Sequence, residues 1–480
     1  MRATFTTAEI LTATGGTLVQ TGASGAFCGV STDSRTCQAG EVFIPLAGER
    51  HDGHAYIPKA VLRGARAVLV KAKILAKWSQ TPAAVLRDSK LRALPGIPRE
   101  VTVISVADPL TALGDLARAW RGRFRVPVVA VTGSCGKTTT KEMIAQVLTP
   151  AYRVHKNRLN LNNLIGLPLT LLELEDTHEA AVVEMGMNAF GEIRRLTGIA
   201  APTVGVLTNV HAAHTEGVGD IAGVARAKGE MVGVLDHGAR LIYNADDPWL
   251  AQVSGNFRGP ALSFGLAPEA KLRATGRVTL GTGGQKANLT FQGQSWPLTL
   301  AVPGLHMLYN ALAATAVGLS LGLDPQDTAA ALAAFQPIHR RSQVVILASG
   351  VHLLNDCYNA NPGSMAMALK TLEELRRQGR AAAALGDMLE LGNGAVAAHR
   401  ELGRLAAGAG LSLLVTCGNF RQEVAAGAQE AGMPPEGIMP VASHAEGAKV
   451  LREFLLPGDW LLVKGSRSMH MEALIECLAN

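Results

Sequence analysis

Aromatic side chains are scarce in this sequence, at 4% of positions, although 48% of residues are hydrophobic. The cores must therefore be built from aliphatic side chains and alanine. Cysteine is also sparse: six residues, at positions 28, 37, 135, 357, 417 and 477, with no C-x-x-C spacing. That scatter argues against a disulfide framework or a zinc site and fits a reducing cytosol. No apolar run approaches the roughly 18 residues that a membrane-spanning helix needs, so no span is expected. The opening residues MRATFTTAEILTATGG lack the charged-then-apolar layout of a secretion signal. Long charge runs are missing too. Lys plus Arg outnumber Asp plus Glu by 45 to 39, a net charge of +6. The basic clusters, Arg121-Gly-Arg123-Phe-Arg125 and Arg376-Arg377-Gln-Gly-Arg380, are short. Without a basic stripe interleaved with aromatics, no nucleic-acid partner is expected. Attraction of small polyanionic substrates accounts for the same excess.

What is present is a phosphate loop. Residues 128–140 read VVAVTGSCGKTTT, an apolar run that breaks into glycines and ends in Lys137-Thr138. Glycines let backbone N–H groups turn inward around phosphate oxygens. Lys137 suits the β/γ-phosphates of a nucleotide, and the Thr138 hydroxyl suits Mg²⁺. The spacing predicts a helix over roughly 137–148, whose positive end faces the anion. The loop is the short form Gly133-Ser134-Cys135-Gly136-Lys137-Thr138, since Val131 stands where the longer G-x-x-x-x-G-K-[ST] form has its first glycine.

Three α/β blocks are expected: residues 1–107, 108–336 and 337–480. The first carries short β-like runs (GEVFIPLAG, ARAVLVKA, VTVISVAD) and ends after a Pro/Gly-rich loop, ALPGIPRE. The second opens on an amphipathic helix, LTALGDLARAWR, and the third follows a hinge-like segment, FQPIHRRSQ. In the second and third blocks, continuous apolar runs alternate with helical patterns, as in parallel sheets covered on both faces. Each run ends on chemistry: the loop after VVAV, Glu184 after AAVV, then His211 and His214, Asp246 and Asp247, Asp356 and Asn359, Asp387, and Lys464 with Ser466. Ligands bind beyond the carboxyl ends of strands in open α/β sheets. Two sheets facing a shared cleft are therefore expected.

These residues resemble the Mur ligase family over essentially the whole length. Thr32-Asp33-Ser34-Arg35 with GEVFIPLAGERHDGH is similar to the family's uridine-nucleotide domain; TGSCGKTTTK, NLNNLIGLPLTLL, EMGM, HTEG, AKGE and GLHMLYNALAA resemble its central motifs. DCYNANPGSM, LGDMLELG and VKGSRSMHME resemble the MurF type in particular, and the Asp-Asn-Pro-Arg motif of the MurE type is not found. The resemblance implies a small N-terminal uridine-nucleotide domain, a central P-loop ATP-binding domain with a parallel sheet, and a C-terminal Rossmann-like domain. It implies a cytoplasmic ligase that uses ATP and Mg²⁺ to join UDP-MurNAc-tripeptide to D-alanyl-D-alanine through an acyl phosphate. A monomer is expected.

The resemblance also assigns roles. Gly133, Ser134, Cys135, Gly136, Lys137, Thr138 and Thr139 would hold ATP phosphates, and Asn310 the adenine. Arg341 and Asp356 would grip phosphate and ribose, although Arg340 stands where relatives carry glycine, so either arginine could meet phosphate. Thr138 and Glu184 would bind Mg²⁺, with His214 at a second ion, and Lys228 would be carbamylated. Asn162 and Asn163 fall in a substrate motif. Tyr358, Asn359, Asn361 and Ser364 would form an uncharged wall for the dipeptide, with Lys464 adding charge, and Ser34 and Arg35 would meet the uridine diphosphate. Leu164, Met307 and Cys357 also depart from the family pattern. Blander readings compete: Asn310 as a helix N-cap, Asn-Ala-Asn-Pro as a turn, and Asp52-Gly53-His54 as a turn. Another Mur-type or folylpolyglutamate-type ligase, or a P-loop ATPase switch acting on a macromolecule, are the alternative functions.

Overall fold

The computed structural model describes residues 3–48, 51–79, 97–158, 160–376 and 379–479. Arg377 of the second basic cluster, residues 49–50 of the first block and residues 93–96 of the Pro/Gly-rich loop lie outside the described residues. Three main sheets follow one another along the chain. The first has five strands, in the order Thr17–Gln20, Thr102–Val106, Ala67–Lys71, Val42–Phe43, Val30–Ser31. The middle sheet has nine: Gln294–Leu300, Gln285–Phe291, Leu272–Thr279, Ala261–Gly265, Arg240–Asn244, Val204–Leu207, Val128–Thr132, Ala180–Glu184, Val154–Lys156. The third has six: Gln343–Ile346, His352–Asn355, Trp460–Lys464, Ala381–Leu385, Leu413–Cys417, Ile438–Val441.

The apolar runs explain this layout. Val128–Thr132, Ala180–Glu184, Ala381–Leu385 and Trp460–Lys464 are buried at every residue, as parallel strands covered by helices on both faces must be. The pairs between Val204–Leu207 and Arg240–Asn244, and between Ala381–Leu385 and Leu413–Cys417, are parallel and in register. Leu272–Leu300 behaves differently. Its three strands pair antiparallel and alternate buried with more exposed residues over most of their length, the pattern of a sheet with one wet face. Alanine fills much of the core, as the aromatic shortage required: AAAAL forms the centre of the third sheet, with Met365, Leu369 and Leu372 on one face and Leu451, Met471 and Leu474 on the other.

Packing divides the chain into two compact units. One comprises residues 1–130, 152–185 and 194–203; the other comprises 131–151, 186–193 and 204–480. In the first unit two arginines of the basic cluster at 121–125 make contacts within the fold. Arg121 is buried and donates to the carbonyls of Ala200 (3.0 Å), Phe124 (2.6 Å), Val126 (3.4 Å) and Ala201 (3.3 Å). Arg123 lies over the Trp120 ring at 4.6 Å and pairs with Glu9 at 2.8 Å. Among the described residues no helix is long and apolar enough to cross a membrane.

Candidate active site

In the first unit, Glu184 is buried at the end of its strand and held at three atoms. Its N–H donates to Asn157 Oδ1 at 3.0 Å, its carbonyl accepts Asn157 Nδ2 at 3.3 Å, and Oε1 accepts Asn162 Nδ2 at 2.7 Å. Asn157 was not singled out from the sequence. Asn163 is a turn former: Oδ1 accepts the N–H groups of Ile165 (3.1 Å) and Gly166 (2.9 Å) where helix Gly166–Leu172 begins. Ser34 is buried, whereas the Arg35 guanidinium is exposed and forks onto Asp33 at 2.7–3.1 Å. Those hydrogen bonds hold the Asp33 carboxyl down at about 2. Asp52-Gly53-His54 is a structural turn. Asp52 caps the short helix Gly53–Tyr56, and His54 is buried between Asp52 (Nδ1, 2.6 Å) and the Lys71 N–H (Nε2, 3.1 Å). Accepting at Nε2 places the proton on Nδ1.

In the second unit the loop and its helix match the expected positions: the helix is Lys137–Leu148, capped by Gly136 with no side-chain cap. A helix start carries N–H groups without intrahelical partners, which is what an anion uses. Glycine is required at two loop positions. A Cβ on Gly133 would stand 1.9 Å from Thr208 Oγ1, and one on Gly136 (φ +77°) 2.5 Å from Asn310 Oδ1. The loop is braced by the segment that follows strand Val204–Leu207. Ser134 N–H donates to Asn209 O (3.0 Å), Cys135 N–H to Asn209 Oδ1 (2.8 Å), and Thr208 Oγ1 to Cys135 O (2.9 Å). Ser134 Oγ donates to His211 O at 3.0 Å and accepts its N–H at 2.9 Å. The sequence reading marked this segment for its histidines; Thr208 and Asn209 are the braces it missed.

Asn310 lies inside helix Leu305–Ser320, which Gly304 caps. The N-cap reading is thus overturned: Asn310 Oδ1 accepts Thr140 Oγ1 at 3.1 Å, beside the phosphate loop. Lys137 Nζ donates to the carbonyls of Gly133 (2.8 Å) and Ser134 (3.4 Å). Lys228 is buried, and burial, then the charge of Lys137, pushes its ammonium well below the usual lysine range. Among the described residues no carboxylate lies within ion-pair distance of it. His214 Nδ1 is 2.5 Å from Glu390 Oε2. The adjoining His214 ring, aided by the charge of Lys137, lowers the Glu390 carboxyl, against burial that raises it. Glu390 was not singled out either, although LGDMLELG was.

Third-block residues reach the same loop. Cys135 Sγ lies 3.0 Å from Asn361 Oδ1, and Asn361 Nδ2 is 3.4 Å from Ser134 O. Asn361 also exchanges hydrogen bonds with Ser364 at the start of helix Pro362–Arg376, so the turn reading holds for it. Asn359 Oδ1 accepts the Arg467 N–H at 3.2 Å, and its carbonyl accepts Lys464 Nζ at 2.9 Å. Lys464 is buried and pairs with Asp356 Oδ2 at 2.5 Å. Its charge is therefore matched within the fold. Arg340 pairs with Glu472 at 2.8 Å, whereas the Arg341 guanidinium lies 3.9 Å over the Tyr358 ring. Of the two arginines, Arg341 has no carboxylate partner among the described residues.

The chain matches three Mur ligase patterns in order: the family's catalytic domain over residues 27–121, the middle domain over 131–318 and the glutamate ligase domain over 340–467. The chain belongs to the Mur ligase family. Its kin within that family are the UDP-N-acetylmuramoyl-tripeptide–D-alanyl-D-alanine ligases. The one from Bacillus subtilis is 35% identical over 450 residues, covering 94% of this chain and 93% of the relative. Among solved structures, MurF from Acinetobacter baumannii matches with a TM-score of 0.86 at 29% identity, covering 100% and 99% of the two chains. MurF ligase from Thermotoga maritima, in complex with ADP, matches with a TM-score of 0.77 at 27% identity, covering 94% and 96%.

Proposed function

We propose that this protein is an ATP-dependent ligase that adds D-alanyl-D-alanine to UDP-MurNAc-tripeptide, as a cytoplasmic monomer supplying peptidoglycan precursors. One observation carries the reading. The phosphate loop meets Asn361, from the proposed dipeptide wall, at Cys135 and Ser134. That contact supports a reading in which the nucleotide cradle adjoins the amine site, as amide formation from ATP requires.

The chemistry follows from need. A carboxylate and an amine do not condense unaided in water. A carboxylate oxygen attacks the γ-phosphorus, the bridging P–O bond breaks, and ADP leaves. The amine nitrogen then attacks the acyl carbon, the C–O bond to phosphate breaks, and the nitrogen gives up a proton. Water must be kept out meanwhile. Lys137 and residues 133–139 hold the phosphates, Asn310 the adenine, Asp356 the ribose and Arg341 a phosphate. Tyr358, Asn359 and Asn361 receive the dipeptide; Ser34 and Arg35 the uridine diphosphate; Asn162 and Asn163 belong to the muramoyl-peptide side.

For Mg²⁺ the proposed ligands are Thr138 and Glu184, with His214 at a second ion. Among the described residues no group of three or more His, Cys, Asp or Glu could hold a metal. Mg²⁺ keeps several waters and binds one or two carboxylates plus substrate phosphates. A hydroxyl and a carboxylate fit a hard cation; the imidazole fits it less well, and His214 already meets Glu390. When bound, the ion offsets phosphate charge. Lys228 is proposed to carry a carbamate: the nitrogen of a buried neutral amine bonds to the carbon of CO₂ and gives up a proton to water, and the resulting anion would lie near Lys137.

The test is phosphate release from ATP with UDP-MurNAc-tripeptide, with and without D-alanyl-D-alanine, together with the mass of the product. Release that depends on the dipeptide, with a lengthened peptide, is expected; ATP use without lengthening overturns the reading. A free α-amino group has a pKa of about 7.7–8.0, and only its neutral form attacks. We therefore expect kcat/KM for the dipeptide to rise toward about pH 8–9. A profile flat from pH 6 to 9 would count against rate-limiting amine attack.

A further inference from the structure

The turn that carries Arg341 has an unusual backbone. Arg340 has φ +62° and Ser342 φ +46°, in the left-handed region that glycine enters freely and residues with a Cβ do not. Two such residues flank the arginine, and non-glycine residues persist there only where their surroundings over-determine them. Ser342 is fastened by its N–H to Asp356 Oδ1 (2.8 Å) and its hydroxyl to His306 Nε2 (3.0 Å). His306 is half-buried, and desolvation of its ring lowers it to about 4, so it stays neutral in this role.

Arg340 is fastened from elsewhere. Its Nη1 donates to Glu472 Oε1 at 2.8 Å, and the same oxygen accepts Arg467 Nη1 at 2.7 Å. Glu472 is the first residue of the last helix, Glu472–Ala479, and its other oxygen, Oε2, is buried with no hydrogen-bond partner. The carboxylate therefore acts through one oxygen, at the point where Arg340 arrives. The Arg340 carbonyl in turn accepts the Tyr358 N–H at 3.2 Å, and Tyr358 is the ring on which Arg341 rests. Fixing Arg340 fixes Arg341 and its platform together.

We propose that Glu472 is a positioning residue for nucleotide binding: its ion pair with Arg340 holds the left-handed turn that aims Arg341. The inference rests on the reading of Arg341 as a phosphate-binding residue. Arg340 with Glu472 then does jointly what a glycine at position 340 would do alone.

The experiment is the steady-state KM for ATP in the full-length protein, with both other substrates saturating. Glu472→Gln keeps the shape and removes the charge; KM for ATP should rise on the order of tenfold, with kcat little changed. Arg340→Met, which removes the other partner, should do the same and serves if Glu472→Gln does not fold. The double variant Arg340→Gly/Glu472→Gln should recover to within about threefold of the parent, because glycine takes φ +62° without strain. A merely structural Glu472 would lower the melting temperature and gain nothing from the glycine. An unchanged KM for ATP in the single variants, or a double variant no better than Glu472→Gln, overturns the inference. Arg341→Gln separates the two readings: if it leaves KM for ATP unchanged, the phosphate role of Arg341 falls first, and the inference with it.

Discussion

Lys137→Ala should reduce ATP turnover by at least about 10³-fold while the melting temperature stays nearly where it was. Two contacts of the side chain are local to its own loop. It is half-buried at the first position of its helix, and its Nζ returns to two carbonyls of its own loop, Gly133 and Ser134. The bracing of that loop runs instead through Thr208, Asn209 and His211, which the substitution leaves in place. What is lost is a cation next to the start of a helix that no side chain caps, where the proposed function has the γ-phosphoryl charge matched. Phosphate release and thermal melting on the same preparation check both halves. ATP use comparable to the parent would reject the assignment of the loop. Gly136→Ala is a useful contrast, because its new Cβ would strike Asn310 Oδ1. That variant should lose loop geometry as well as turnover.

The loop was legible because its chemistry is local: two glycines, a lysine and a threonine within six positions need no partner from elsewhere to be recognised. The parallel sheets were legible for a related reason, since a run such as AAAAL has nowhere to go but a strand covered on both faces. The antiparallel strands of Leu272–Leu300 were not read, because their alternation is broken by a bulge between Thr275 and Val278 and by polar outward positions that resemble loop.

Braces are harder still. Asn209 supports Cys135 from 74 positions away, Asn157 holds Glu184 from 27, and Glu472 holds Arg340 from 132. Nothing in the chain announces such pairs. The strand-end rule also over-reads aspartate. Asp246 spends its carboxylate on the N–H groups of Leu266 and Ala267 and the Tyr309 hydroxyl, and Asp387 on those of Asn419 and Phe420. Short connections after buried strands leave N–H groups that must be satisfied. A carboxylate there serves the backbone as readily as a substrate, and the sequence looks the same in both cases.

Lys228→Met is the other large effect, and it should separate function from stability in opposite directions. Lys228 is 1% exposed, with no carboxylate within ion-pair distance among the described residues. Burial is the main cause of its lowered pKa, and the nearby Lys137 adds to it. The unfolded chain therefore binds the extra proton more readily than the folded one, over the span from that lowered value up to the ordinary lysine range. In that window stability rises with pH. A methionine of similar length removes the penalty. In CO₂-depleted buffer at pH 7 the variant should be more stable by at least about 1 kcal/mol, a rise of roughly 2–4 °C in melting temperature. The difference should shrink as pH is raised toward the usual lysine range. Activity should move the other way, falling at least about 10²-fold, because the proposed carbamate beside Lys137 can no longer form. Bicarbonate added to CO₂-depleted protein should restore the parent's activity and leave the variant unmoved. Full activity in parent protein whose intact mass shows an unmodified Lys228 would remove the carbamate. A methionine variant less stable than the parent at pH 7 would show instead that the buried ammonium is matched by a group other than the residues described around it.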